Sequence, residues 1–135
     1  LDGQAYGADD KEVMVMHSNS GITIDLDAVR KSLPQLNISK FEAVYGIPDQ
    51  IYESYTGDSD VAAWAAWAVL DVHVLLDGKR AFYRKSLDTS VRKNSISIPI
   101  RDEQRFLTLA VTDGGNGNHG DYVVFGESKL ILNIE

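Results

Sequence analysis

The residues best suited to chemistry lie together in Thr112-Asp113-Gly114-Gly115-Asn116-Gly117-Asn118-His119-Gly120-Asp121-Tyr122, a glycine-rich polar loop between two strongly apolar runs. Its glycines open backbone conformations closed to other residues, while Asp113, Asn116, Asn118, His119 and Asp121 supply hydrogen-bond donors and acceptors in close succession. Such a loop can wrap a polar ligand or a cation. A solvated surface turn has the same composition, so both readings stand. The spacing is not that of an EF-hand: with Asp113 first, Gly115 takes the place of the second oxygen ligand and no Glu closes the loop at the twelfth position.

A second polar loop, Ser18-Asn19-Ser20-Gly21, follows His17 at the end of an apolar run. A histidine there serves either as a hydrogen-bonded structural residue or as a ligand contact. The other histidines, His73 and His119, are far away in sequence, and exposure alone accounts for His73 on the polar side of its strand. No H-x-H or H-E-x-x-H spacing supports a catalytic zinc. The chain also lacks a G-x-S-x-G elbow, a P-loop and a dinucleotide fingerprint, and carboxylates are too frequent for any one pair to argue a glycosidase. The sequence therefore reads as a binder, not an enzyme. Trp64 and Trp67, in an alanine-rich run after Gly57-Asp58-Ser59-Asp60, suit either the stacking of sugar rings or plain core packing.

These loops must be carried by a scaffold, and the alternation of apolar and polar residues says which kind. Val13, Val15 and His17 share one parity and Met14 and Met16 the other. Ile22, Ile24 and Leu26 alternate with Thr23 and Asp25, and Phe41, Ala43 and Tyr45 with Lys40 and Glu42. Leu70, Val72, Val74 and Leu76 fall on one face opposite Asp71 and His73, and Asp77-Gly78 then makes a hairpin turn into Arg80 to Arg84. Ile96, Ile98 and Ile100, then Leu107, Leu109 and Val111, and finally Leu130, Leu132 and Ile134 repeat the pattern. A short helix is expected at Asp27 to Leu33, capped by Asp27 and stopped by Pro34. Many short strands without alternating long helices predict an all-β, antiparallel β-sandwich of jelly-roll type.

Composition narrows the partners. A chain of 135 residues with 44% hydrophobic and 24% charged residues fits one domain, and no apolar run is long enough to span a bilayer. Thirteen basic against twenty acidic side chains give a net charge of -7, which argues against nucleic acid; the one basic cluster, Arg80, Arg84, Lys85, Arg92 and Lys93, is diluted by Asp77 and Asp88. The absence of cysteine removes disulfides and thiolate chemistry. Leu1 to Glu12 has neither the basic nor the apolar stretch of a signal peptide, and the opening at Leu1 leads to the expectation of a single module, residues 1–135, excised from a longer protein.

The residues also carry a family resemblance. Met16-His17-Ser18 followed by Ile22-Thr23-Ile24-Asp25-Leu26, Phe41-Glu42-Ala43-Val44-Tyr45-Gly46, the hairpin Val72 to Lys79, and above all Phe106-Leu107-Thr108-Leu109-Ala110-Val111-Thr112-Asp113 with Gly115-Asn116-Gly117 and Gly120-Asp121 resemble the NPCBM group, also classed as family 51 carbohydrate-binding modules (CBM51). The run Asp121 to Ser128 departs from that family's usual Asp-His-Ala-Asp-Trp-Ala-Asp-Ala. The resemblance implies a galactose-binding-domain-like jelly roll that is extracellular, periplasmic or at the cell surface. It further implies attachment to catalytic or other domains of a parent protein, recognition of a glycan, of galactose type in some members, and a structural calcium ion. On that reading the ligand-binding residues are His17, Asn19, Asp113, Asn116, Asn118, His119, Asp121 and Tyr122, with the metal ligands unknown.

Overall fold

The computed structural model describes residues 1–7, 11–48, 68–118 and 120–134. In chain order they form β1 (Val13–His17), β2 (Ser20–Asp25), α1 (Leu26–Ser32), β3 (Leu36–Gly46), β4 (Leu70–Leu76), β5 (Lys79–Leu87), β6 (Asn94–Pro99), β7 (Phe106–Asp113) and β8 (Tyr122–Ile134). The strands make two four-stranded sheets, ordered β1-β8-β3-β6 and β2-β7-β4-β5, and every pairing is antiparallel. Two such sheets with these crossovers are a jelly roll, as the alternation predicted.

The period-2 pattern places the core. Leu70, Val72, Val74 and Leu76 of β4 and Leu107, Leu109 and Val111 of β7 face inward from one sheet, against Phe41, Ala43, Tyr45, Ile96, Ile98, Val123 and Phe125 of the other. Burying each large apolar side chain contributes roughly 1.5–3 kcal/mol, so this interlayer supplies most of the cohesion. Ile134, which the alternation put on one face with Leu130 and Leu132, is 86% exposed at the end of β8, where those two are partly buried. That strand is also longer than the alternation of its last residues predicted. It begins at Tyr122 and absorbs an irregularity near Glu127, whose φ is 50° and whose N–H donates to the Glu12 carbonyl.

The helix is capped two residues earlier than expected. Asp25, in extended conformation, accepts hydrogen bonds on its side chain from the N–H groups of Asp27 and Ala28, which places Asp27 inside the first turn, where it pairs with Arg30. Leu33, just before Pro34, closes the helix. The Asp77-Gly78 hairpin has both central residues at positive φ, the mirror-image turn that antiparallel strands favour.

Four of the six passages between the two sheets lie at one end of the sandwich, the crossover end. There β1 gives way to β2 across Ser18 and Asn19, β7 to β8 across residues 114–121, and β5 to β6 across residues 88–93, while β3 leaves and β4 enters at the same end. The hairpin 77–78, helix α1 and residues 100–105 occupy the other end. Trp64 and Trp67 lie outside the described residues.

Candidate functional site

The crossover end brings the two polar loops together. Residue His17 at the end of β1 lies opposite Tyr122 at the start of β8, and their rings meet edge to face at 4.6 Å. The odd-numbered face of β1 points outward, so His17 is half-buried while Tyr122 stays 41% exposed. An exposed ring held by a second ring offers an apolar face beside polar neighbours.

Beside this pair the loops are cross-braced. Asn19 Nδ2 donates to Asp113 Oδ2 at 3.0 Å, and the Asp113 N–H donates to Asn19 Oδ1 at 3.2 Å. Asp113 Oδ1 accepts from the Gly115 N–H at 2.9 Å. The Asn19 side-chain bond, and then the Gly115 N–H, hold the Asp113 carboxyl below the usual carboxylate range, so it is ionised at neutral pH. Asn19 reaches this position only because its φ is 63°, a left-handed conformation that Asn tolerates better than most residues. Each carboxylate oxygen has a further lone pair, and Asp113 is only partly covered, so it can accept from a ligand hydroxyl.

Asp121 has a different part. It is fully buried, and its Oδ1 accepts from the Val69 N–H at 3.1 Å, while its backbone carbonyl accepts from the Ser18 N–H at 2.9 Å. Val69 in turn accepts from the Gly114 N–H at 2.8 Å. Asp121 thus ties together the β1–β2 turn, the entry of β4 and the β7–β8 loop, and in this conformation its carboxylate is out of a ligand's reach. Burial pushes its pKa up, against the opposing pull of the Val69 N–H, the Ser18 hydroxyl and nearby His17. Although Ser18 lies alongside, neither Ser18 Oγ nor Asp121 Oδ2 completes a hydrogen bond with another described atom. No local pattern signals this linking role, since it rests on the backbone of Val69, fifty-two residues away.

Asn116 and Asn118 lie exposed on the loop, with the Asn118 carbonyl accepting from the Asp121 N–H. His119 lies outside the described residues. Among the described residues no group of three or more His, Cys, Asp or Glu side chains could hold a metal ion. Calcium takes six to eight oxygens. The two unengaged buried oxygens, Asp121 Oδ2 and Ser18 Oγ, are fewer than that. His73 is more than exposed: it stacks on Tyr83 at 4.9 Å and its Nε2 lies 2.9 Å from Thr112 Oγ1. An apolar groove of about 210 Å³ opens elsewhere, along the side where β1 and β2 part, between Val13, Met14, Ile22, Ile24 and Leu130.

A jelly roll whose sheet crossovers gather polar and aromatic side chains at one end is a scaffold for loop-borne recognition. The chain belongs to the NPCBM/NEW2 domain family, which matches residues 11–131. Among solved structures it is similar to CBM51 from Clostridium perfringens GH95 in complex with methyl-galactose, at 22% identity and a TM-score of 0.68, covering 89% of this chain and 70% of that one. It is also similar to a CBM51-2 and INT domain structure from Clostridium perfringens ZmpB, at 16% identity and a TM-score of 0.68. A third likeness is to the tandem CBM51 modules of Sp3GH98, a family 98 glycoside hydrolase from Streptococcus pneumoniae, at 22% identity and a TM-score of 0.64. This chain is covered to 91% in both cases, but spans only 22% and 32% of those longer chains. No curated protein sequence matches the chain. No helix among the described residues is long and apolar enough to cross a membrane.

Proposed function

We propose that the chain is a non-catalytic carbohydrate-binding module that grips a glycan at the crossover end of the sandwich. The observation that carries the reading is an ionised, partly exposed Asp113 braced by Asn19, a residue two positions along the chain from the His17 ring that packs on the exposed ring of Tyr122. Vicinal hydroxyls donate to Asp113, the apolar face of the sugar lies against Tyr122, and His17, Asn116 and Asn118 complete the rim. Family membership supports glycan recognition, and one solved CBM51 relative was captured with methyl-galactose and another with GlcNAc. In this reading the module works outside the cell or at its surface, alongside other domains of a longer protein.

A second reading, a structural sandwich without sugar binding, has one observation in its favour: both Asp113 oxygens and Asp121 Oδ1 are already engaged by protein donors. Titration calorimetry with methyl galactoside and with GlcNAc, each with and without calcium, separates the two. Saturable binding lost on Tyr122→Ala supports the module; no heat with either sugar or across a glycan array supports the structural sandwich. The same protein incubated with chromogenic glycosides should release no aglycone.

A further inference from the structure

The outer face of the sheet β2-β7-β4-β5 carries a second constellation, remote from the loop end in composition and in charge. The edge strand β5, paired only with β4, contains Lys79, Arg80, Arg84 and Lys85 and no acidic residue, in a chain whose net charge is -7. The register places Tyr83 opposite His73 and Arg80 opposite Leu75, so Arg80 and Tyr83 share the outer face, and Lys85 follows two residues on. Basic side chains on an edge strand deter edge-to-edge pairing, and mobile lysines suffice for that.

Arg80 does more than deter. Its guanidinium lies over the Tyr83 ring, 4.1 Å from the centroid, and the Tyr83 ring is itself stacked against His73. Tyr83 is pinned in turn by its hydroxyl, which donates to Asp71 Oδ2 at 3.0 Å, while Asp71 Oδ1 accepts from the Ser86 N–H at 2.7 Å. Both oxygens of the one carboxylate on this part of the face are therefore engaged in fixing the platform. No hydrogen bond or ion pair to a described residue occupies the N–H donors of Arg80. A planar guanidinium seated on an aromatic ring with its edge donors available is preorganised for bidentate capture of a carboxylate or sulfate.

We infer that the outer face of β5 is a second glycan-contacting surface, which takes the carboxylate or sulfate groups of an acidic polysaccharide through the Arg80 fork, with Lys85 as a supporting charge. Four residues lie between the two cations, and with the register shift opposite Val74 and Leu75 they span about 13 Å at the usual rise, a distance suited to a polymer and not to a single sugar. The acidic remainder of the molecule repels polyanions and so confines them to this strand. Nucleic acid fits less well, because the ring of Tyr83 is already engaged by His73 and Arg80 and offers no platform for a base.

The test is affinity electrophoresis of the whole chain at about 50 mM salt, where screening is modest, in gels containing polygalacturonate, dextran sulfate, unsubstituted dextran or duplex DNA. Retardation by one or both acidic polysaccharides, and by neither dextran nor DNA, is the expected result; the two acidic gels tell carboxylate from sulfate. Arg80→Gln should weaken retardation about tenfold or more, and Arg80→Lys, which keeps the charge and loses the fork, should remain as weak. Asp113→Ala should leave it unchanged, which separates this surface from the loop end. No retardation by either acidic polymer, equal retardation by DNA, full recovery in Arg80→Lys, or an Arg80→Gln variant that migrates like the parent would each overturn the proposal. Unchanged thermal melting of the Arg80 variants verifies that they fold.

Discussion

Asn19 and Asp113 stand ninety-four residues apart in sequence and exchange two hydrogen bonds, one in each direction. The pair joins the β1–β2 turn to the end of β7, so each residue needs the other to hold its loop. Asn19→Ala and Asp113→Ala should each lower the melting temperature, and the double variant should lose little more than the larger single loss. A double-mutant cycle by thermal denaturation measures this; strictly additive losses would show that the two bonds do not act as a unit.

Asp121 should give an unusual pH signature. Burial raises its folded pKa above the unfolded value, so the folded state binds the extra proton between the ordinary carboxylate pKa of about 4 and the higher folded value. Within that window its contribution to stability rises as the pH falls. Asp25, Asp77 and Asp113 have depressed pKa values and act oppositely: their stabilisation is present above the ordinary carboxylate pKa and is lost as the pH falls through their folded values. Asp121→Asn should remove the rise seen on mild acidification and leave the loss at lower pH. Melting temperatures from pH 7 to pH 3 for the two proteins check both halves.

Asp121→Ala, unlike the Asn variant, leaves the part-buried Val69 N–H without its acceptor, which costs roughly 1–3 kcal/mol. Chemical denaturation should show that loss. Asp88→Ala, in the turn capped on Ser90, should leave sugar binding intact.

For the glycan site itself, Tyr122→Ala and His17→Ala should weaken binding of a recognised sugar about tenfold each, with melting temperatures close to the parent's. Calorimetry gives the first quantity and differential scanning the second. Unchanged affinity in both variants would move the site away from the His17–Tyr122 pair.

Gly114 and Gly115 are adjacent yet should respond differently to alanine. A Cβ on Gly114 would lie 2.5 Å from Val69 Cγ1 and 2.6 Å from its carbonyl oxygen, so the entry of β4 must shift. Gly114→Ala should destabilise by about 1–3 kcal/mol and disturb sugar binding with it. Gly115 has open space around it and a φ of 93°, so Gly115→Ala carries backbone strain without a clash. Its loss should be smaller in denaturant titration.

Period-2 alternation made the strands legible because each sheet has one dry face, and a parity error would have turned Leu70 to Leu76 inside out. The family motifs fell on loops that are glycine-rich because the backbone there must turn between sheets. What stayed hidden was the division of labour between two aspartates of one loop. Asp113 and Asp121 look alike as residues, and only the tertiary partners, Asn19 for one and Val69 for the other, make one reachable and the other internal. The cap on α1 was missed by two positions because Asp25 and Asp27 both offer a suitable carboxylate, and the fold extends β2 only as far as Asp25.

The gathering of both polar loops at one end also bears on the order of assembly. The pairing of β1 with β8 joins Val13 to Gly126, so its hydrogen bonds close a loop of nearly the whole chain, and the His17–Tyr122 contact closes with them. Contacts of such separation form slowly, after the local β4–β5 hairpin. Recognition should therefore report completed folding: a refolding chain regains its hairpin signal before it regains ligand affinity, and fragments that end before Tyr122 never do. A ligand that binds only the closed end stabilises the whole sandwich by mass action, and so acts as a latch on the last step of folding.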